Sequence, residues 1–276
     1  MKTAYPQNLH THSTFDDGHN PPEEMVLHAI ERGFTSLGFS GHARTPFSTA
    51  YCLSPEKEVA YKKEILRLKE KYAGQIDIYL GFEMDYFAEA DLTDYEYVIG
   101  SVHYFGTESE ENGCDVNDPE ILKRRINRYF DGDPYKLSQK YFELLADMPR
   151  KTGKMDIVGH FDLLLKTSEI FPIFDTSSPR YRDSANMAIE SLIKQGKVFE
   201  INTGAIARGL KKVQYPETWA LKRINELGGG VVISSDCHYK ERLECYFKES
   251  LDLMKNCGFK EVLIFNGKGF DPIKIK

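Results

Sequence analysis

The chain of 276 residues contains no apolar run approaching 18 residues, so nothing in it reads as a membrane-spanning helix. It has no C-x-x-C pair. Its five cysteines, Cys52, Cys114, Cys237, Cys245 and Cys257, are odd in number and widely spaced. That excludes a disulfide framework and fits free thiols in a reducing compartment, the cytoplasm. It lacks a basic block of the kind that neutralises nucleic-acid phosphates, and its net charge of −6 argues against a polyanionic partner. The first residues, M-K-T-A-Y-P-Q-N-L-H, lack the apolar centre of a signal peptide. Internal repeats and low-complexity tracts are missing as well.

What is present is material for a large core: 41% apolar residues, with 17 Phe and 16 Tyr, need no disulfide staples. Short apolar segments alternate with amphipathic ones. Strands are expected at Asn8–His12, Ser36–His42, Ile76–Glu83, Tyr97–His103, Met155–His160, Lys197–Asn202, Gly230–Asp236 and Glu261–Phe265. Helices are expected at Met25–Arg32, Val59–Tyr72, Lys136–Met148, Arg182–Lys194, Thr218–Leu227 and Arg242–Cys257. Strands alternating with helices imply β-α-β units and a parallel sheet closing into an α/β barrel. Only Phe87–Tyr95 separates two of the strands, so the barrel is expected to be distorted. Residues 1–276 read as one domain, and 104–134 as an excursion over the barrel mouth, helical at Glu120–Tyr129.

The chemistry lies in where the histidines fall. Of eight, six end or follow an expected strand: His10 and His12 in H-T-H, His42 in S-G-H, His103 in S-V-H, His160 in V-G-H-F-D and His238 in S-D-C-H. Two carboxylates join them at strand ends, Glu83 in G-F-E-M-D and Asp236 in S-S-D, and Asp16-Asp17-Gly18 follows the first pair. In a parallel barrel the C-terminal strand ends build the active site, so these residues converge in space. A single histidine after a glycine is ordinarily a core or capping residue; the same coincidence at strand after strand points to metal. His28, inside the first helix, reads as a packing or surface residue, and His19 as a loop residue near the mouth. Imidazoles and carboxylates suit Zn, Fe or Mn, and nine candidate ligands exceed what one ion takes, so two or three divalent ions are implied. Glu83 is the candidate bridge, because a carboxylate offers two oxygens. A water between two ions is acidified to a hydroxide nucleophile.

The order H-T-H, D-G, G-H, G-F-E, S-V-H, G-H-F-D and S-D-C-H resembles the PHP (polymerase and histidinol phosphatase) metallophosphoesterases over nearly the whole chain. L-G-F-E-M-D-Y, I-G-S-V-H-Y, Y-F-E-L-L-A-D-M, D-I-V-G-H-F-D and V-F-E-I-N-T resemble the histidinol-phosphatase branch. The resemblance implies a distorted (β/α)7-type barrel with three ions. One is held by His10, His12, Glu83 and Asp236, a second by Glu83, His103 and His160, and a third by Asp17, His42 and His238. Asp17 is preferred to Asp16 because it directly precedes Gly18. Glu83, His160, Asp236 and His238 then stand at the reacting centre. The implied reaction is hydrolysis of L-histidinol phosphate in histidine biosynthesis, a small phosphomonoester with neither nucleic acid nor membrane as partner. Arginines would clamp the phosphate. The candidates are Arg208, in a run that departs from the family's N-T-S-G-L-R-like pattern, with Arg44 and Arg180. The loop Glu108–Asp118 and Tyr104–Phe105 are expected to read the substrate's imidazole and amine. The alternatives are the same site acting on another phosphomonoester, a nucleotide or a nucleic-acid end, and a binding module with structural metals.

Overall fold

Apolar strands followed by amphipathic helices pack the only way such units can, with strands side by side and helices over the outer face. In the computed structural model, which describes residues 2–47, 50–105, 114–116 and 118–275, seven parallel strands run in the order β1 (Gln7–Asn8), β2 (Ser36–His42), β3 (Asp77–Asp85), β4 (Tyr97–Ser101), β7 (Ile157–Val158), β8 (Val198–Asn202) and β9 (Val231–Ser234). Between them lie α1 (Pro22–Arg32), α2 (Pro55–Lys71), α3 (Pro119–Tyr129), α4 (Pro134–Thr152), α5 (Pro179–Lys194), the single turn α6 (Gly204–Ala207) and α7 (Thr218–Glu226); α8 (Phe247–Asn256) follows β9. The first five helices each open on proline, whose fixed φ and missing N–H suit a first turn. Ser54, Asp118 and Asp133 cap α2, α3 and α4 through their side chains.

The barrel closes between its first and last strands through one bridge, Thr11 to Cys237, in which His12 N–H donates to Cys237 O (2.9 Å) and Cys237 N–H to His10 O (3.0 Å). β1 is therefore shorter than the sequence suggests, ending at Asn8. The residues beyond it follow an irregular path that carries both histidines inward.

The expected strand at Glu261–Phe265 forms exactly those residues as β10, but it pairs antiparallel with β11 (Phe270–Lys274) and stands outside the seven-stranded sheet. The Gln7 side chain clamps it, accepting from Phe265 N–H (2.8 Å) and donating to Phe265 O (2.9 Å). The Phe265 ring thereby plugs the barrel end where β1 begins, against Tyr79 and Tyr97, with Leu9, Ile99, Ile157, Val198 and Val232 completing the apolar interior.

Tyr97 caps this apolar half. Its ring fills the space where β2 and β3 carry Gly38 and Gly81: a Cβ on Gly81 would lie 2.1 Å from Tyr97 Cζ, and one on Gly38 2.3 Å from its hydroxyl. The hydroxyl donates to Leu9 O. In β3, Tyr79, Gly81 and Glu83 alternate onto the same face, so the ring floors the level at which Glu83 emerges.

The excursion at 104–134 begins as a hairpin of β5 (Tyr104–Phe105) and β6 (Cys114–Asp115) and continues into α3. It leaves directly after His103, whose carbonyl accepts Val116 N–H (3.0 Å). Most of the Glu108–Asp118 loop expected to read the substrate lies outside the described residues. Among the described residues no helix is long and apolar enough to cross a membrane.

Asp162, in G-H-F-D, is buried beneath the barrel wall and accepts Glu217 N–H (2.8 Å) at the start of α7. Burial pushes its carboxyl up to about 7, against the pull of Lys211 and that N–H. The folded state thus holds a proton that the unfolded state releases near pH 4, so stability falls as pH rises from about 4 to about 7. Asp162→Asn should abolish this decline in metal-free protein, an effect of about 2–3 kcal/mol between pH 5 and pH 8 by urea unfolding. Equal pH slopes for the two proteins contradict it. Gly81→Ala should cost about 3 kcal/mol in the same assay, because the Tyr97 ring has nowhere to move; an unchanged midpoint contradicts that reading.

Candidate metal centre

All nine candidate ligands gather at the end of the barrel opposite the Phe265 plug. Glu83 is the hub. His42 Nδ1 (2.8 Å), His160 Nε2 (2.9 Å), His10 Nε2 (3.2 Å), His103 Nε2 (3.3 Å) and His12 Nε2 (3.7 Å) surround its carboxylate, and Ser101 Oγ donates to it (2.7 Å). Asp236 Oδ1 lies 3.2 Å from His12 Nε2 and 3.8 Å from His10 Nε2. Asp17 lies 3.3 Å from His238 Nε2 and 3.7 Å from His42 Nε2. Asp236 sits in the left-handed region (φ 47°), a strained turn at the end of β9 that holds both it and His238 at the cluster.

The imidazoles are oriented from behind. His10 Nδ1 is 2.7 Å from Glu200, His12 Nδ1 2.6 Å from Asp16, His103 Nδ1 3.3 Å from Asp85, and His238 Nδ1 2.9 Å from the Asp236 carbonyl. With ions in the centre, the outer nitrogen facing a carboxylate or carbonyl would keep its proton and Nε2 would be the inward donor atom. The D-D-G turn separates two roles. The Asp16 side chain is closed off from solvent, accepts Ser13 N–H (2.9 Å) and braces His12, while Asp17 faces the cleft. Gly18 permits this fold-back, since a Cβ there would lie 2.3 Å from Ser13 N.

The donor set fits divalent ions. His10 Nε2, His12 Nε2, Glu83 Oε2 and Asp17 Oδ1 are buried without a hydrogen bond. Such a collection of inward-facing lone pairs is costly unless cations lie between them. Four overlapping sets have ligand atoms within 4.8 Å of one another: His12–Asp17–His42–His238, His10–Glu83–His160, His10–His12–Asp236 and His42–Glu83–His103. Around Glu83 itself, Oε1 faces His160 and His103 while Oε2 faces His42, His10 and His12, so the two oxygens divide the imidazoles as a bridging carboxylate would.

A cavity of about 510 Å³ opens over Asp17, His42, His103, His160, Asp236 and His238. Its remaining wall includes His19, Tyr51, Lys166, Arg208, Tyr239 and Arg242. Arg208 reaches it with Nη2 on Asp236 Oδ2 (2.9 Å) and Nη1 near the Asp236 carbonyl (3.2 Å), so it braces a ligand as well as facing the cleft. The structure does not bring Arg44 and Arg180 here. The chain leaves β2 after His42, so strand alternation no longer aims Arg44, which lines a separate groove with Glu58, Phe82 and Phe87. Arg180 stands in the first turn of α5, paired with Asp133 (2.7 Å). His28 is at the surface near Glu31 (3.8 Å). Sequence reasoning passed over Asp85, Glu200, Lys166 and Arg242. For the two carboxylates a signal existed, an acid two residues from a site residue or in the middle of an otherwise apolar strand.

Burial opposes charge throughout the cluster; at His160 it wins and lowers the imidazole's pKa, and at the groups below the mutual fields win. Glu83 and Asp236 are held well below the carboxylate range, Glu83 by His42 and His10, Asp236 by Arg208 and His10. Glu200 and Glu83 hold His10 well above its usual value. Asp16 lifts His12, and Glu83 lifts His103, each to about 10. At pH 8 the metal-free protein therefore carries protons on His12 and His103, and ions must displace them. Loading with Zn or Mn should release at least about two protons per chain, measured by calorimetry in buffers of different ionisation enthalpy. Loading without proton release contradicts the assignment.

The PHP domain family profile matches residues 8–204. A Schizosaccharomyces pombe protein named "Probable histidinol-phosphatase" is 27% identical over 272 residues, covering 90% of this chain and 85% of its own. A histidinol-phosphatase of Bacillus subtilis is 27% identical over 252 residues, covering 83% and 92%. The crystal structure of a Lactococcus lactis histidinol phosphate phosphatase, complexed with zinc, L-histidinol and phosphate, superposes with a TM-score of 0.73 at 21% identity, covering 96% of this chain and 98% of that one. With the family profile spanning well over half its length, the chain belongs to the PHP domain family.

Proposed function

We propose that the protein is a phosphoric monoester hydrolase that cleaves L-histidinol phosphate to L-histidinol and phosphate in histidine biosynthesis. The observation that carries this reading is the Glu83-centred cluster of six imidazoles and three carboxylates, opening into a cleft walled by Lys166, Arg208 and Arg242. The histidinol-phosphatases among its relatives give the substrate.

Two or three divalent ions, of Zn, Fe or Mn, held by His10, His12, Asp17, His42, Glu83, His103, His160, Asp236 and His238, supply Lewis-acid neutralisation of phosphate oxygens and an acidified water. The protein's own part is placement. Glu83, closed off from solvent, fixes the centre of charge. Asp17, His42 and His238 form the face toward the cleft, where a phosphate enters. Arg208, with Lys166 and Arg242, draws a dianion in and holds its remaining oxygens. His19 stacks flat on Tyr239, with centroids 4.0 Å apart and planes 12° apart, and this shelf suits the flat imidazole of the substrate. A small phosphomonoester in the cytoplasm is consistent with the net charge of −6 and with Cys52, Cys237, Cys245 and Cys257 being thiols outside any disulfide. We read residues 1–276 as one PHP-type unit.

Purified protein supplemented with Mn should release phosphate from L-histidinol phosphate with kcat/KM of about 10⁴–10⁸ M⁻¹s⁻¹, far above p-nitrophenyl phosphate or a nucleoside monophosphate. Glu83→Gln should lower activity and bound metal together, by more than the roughly 10–100-fold that losing an outer partner costs. Slow, equal turnover of all three esters would transfer the site to another substrate.

A further inference from the structure

His10, His12, His103 and His238 are held from behind by a carboxylate or a carbonyl, but His160 is not. Its Nε2 faces Glu83 Oε1 (2.9 Å), while its Nδ1 is buried with no hydrogen-bond partner among the described residues. Tyr215 Oη, Tyr181 Oη and Asp162 Oδ1 share that condition, and all four residues are at most 2% exposed. They belong to one neighbourhood. The Tyr215 ring stands edge-on to the His160 ring, with centroids 6.2 Å apart and planes 71° apart. Its backbone is fixed by two hydrogen bonds with Asn202 at the end of β8 (2.8 and 3.0 Å). Asp162 follows His160 by two residues, and its other oxygen is taken by Glu217 N–H (2.8 Å). Burial first, and then the Asp162 charge, push both tyrosine hydroxyls well above their usual range, so both lie within its field.

We propose that ordered water occupies this polar pocket and that Tyr215 acts through it as the positioning residue of His160: the water accepts from His160 Nδ1 and is shared among Tyr215 Oη, Asp162 Oδ1 and Tyr181 Oη. An imidazole that gives Nε2 to an ion carries its proton on Nδ1, and a buried N–H without an acceptor is costly. A buried water takes roughly two to four polar partners, which these atoms supply. His160 thereby gains the outer partner that Asp85 gives His103 directly. The role at the ion rests on reading the cluster as a metal centre; the water does not.

The first test is a crystal structure of the full-length protein at a resolution that shows ordered water. Water within hydrogen-bond distance of His160 Nδ1, and of Tyr215 Oη or Asp162 Oδ1, is expected. A pocket without water, or a direct protein acceptor on His160 Nδ1, would overturn the proposal. Two hydroxyl deletions then test the energetics. Tyr181→Phe and Tyr215→Phe should each lower the urea midpoint, because each removes a hydroxyl that water satisfies. Deleting a hydroxyl with no partner has the opposite sign, since it relieves a buried unpaired group. Tyr215→Phe alone should also weaken Co²⁺ binding, by up to the roughly 10–100-fold that an outer partner carries, with Tyr181→Phe the control for a merely structural role. A raised midpoint in either variant contradicts the water, and equal Co²⁺ affinities in the two variants contradict the role of Tyr215. If Tyr215→Phe loses its fold, the crystal structure decides. Wild-type protein that binds no Co²⁺ instead defeats the metal-centre reading itself, on which the crystal structure and the midpoints do not depend.

Discussion

A single carboxylate closed off from water, Glu83, sits within 3.7 Å of five imidazoles, and the rest of the structure serves that arrangement. A buried charge is tolerated only when compensated. Here the compensation comes from the ends of four strands, β1, β2, β4 and β7, so the centre and the barrel specify one another. Removing any one of these strand ends leaves the hub without part of its surroundings. The outer carboxylates Asp16, Asp85 and Glu200 extend the same logic one layer outward, each holding a proton on the far side of an imidazole so that the near side offers a lone pair.

The barrel is accordingly divided along its axis. Below Tyr97 it is apolar, stoppered by Phe265; above, almost every inward side chain is polar or ionisable. Gly38 and Gly81 make the division possible, since the ring that separates the halves occupies the volume their side chains would need. The packed half gives rigidity, and the polar half spends it on geometry.

Much of this was legible in the sequence. Ser36–His42 and Glu261–Phe265 form with the expected boundaries, and the six histidines expected at strand ends converge because a parallel barrel brings those ends together. Other features depended on information that a linear pattern does not carry. Glu261–Phe265 has the composition of a barrel strand, yet its pairing is decided by Gln7 and by β11. Arg44 lies two residues after His42 in sequence, but where a long side chain ends up depends on the path taken after the strand, and for Arg180 on a partner 47 residues away. Glu200 and Asp85 carried a local signal, a carboxylate two residues from another site residue or inside an apolar strand, whose meaning emerges only when the imidazole behind it is seen.

The seam between Thr11 and Cys237 has a temporal meaning. On one side of it stand His10 and His12, on the other Asp236 and His238, so the centre is assembled from residues more than two hundred positions apart. Contacts of such sequence separation form late, after the entropy of closing the intervening chain has been met. During synthesis the first two histidines leave the ribosome long before their partners exist. The full set of ligand-type side chains is together only when nearly the whole chain has emerged, so a site that needs all of them belongs to the finished barrel and not to any shorter piece of it.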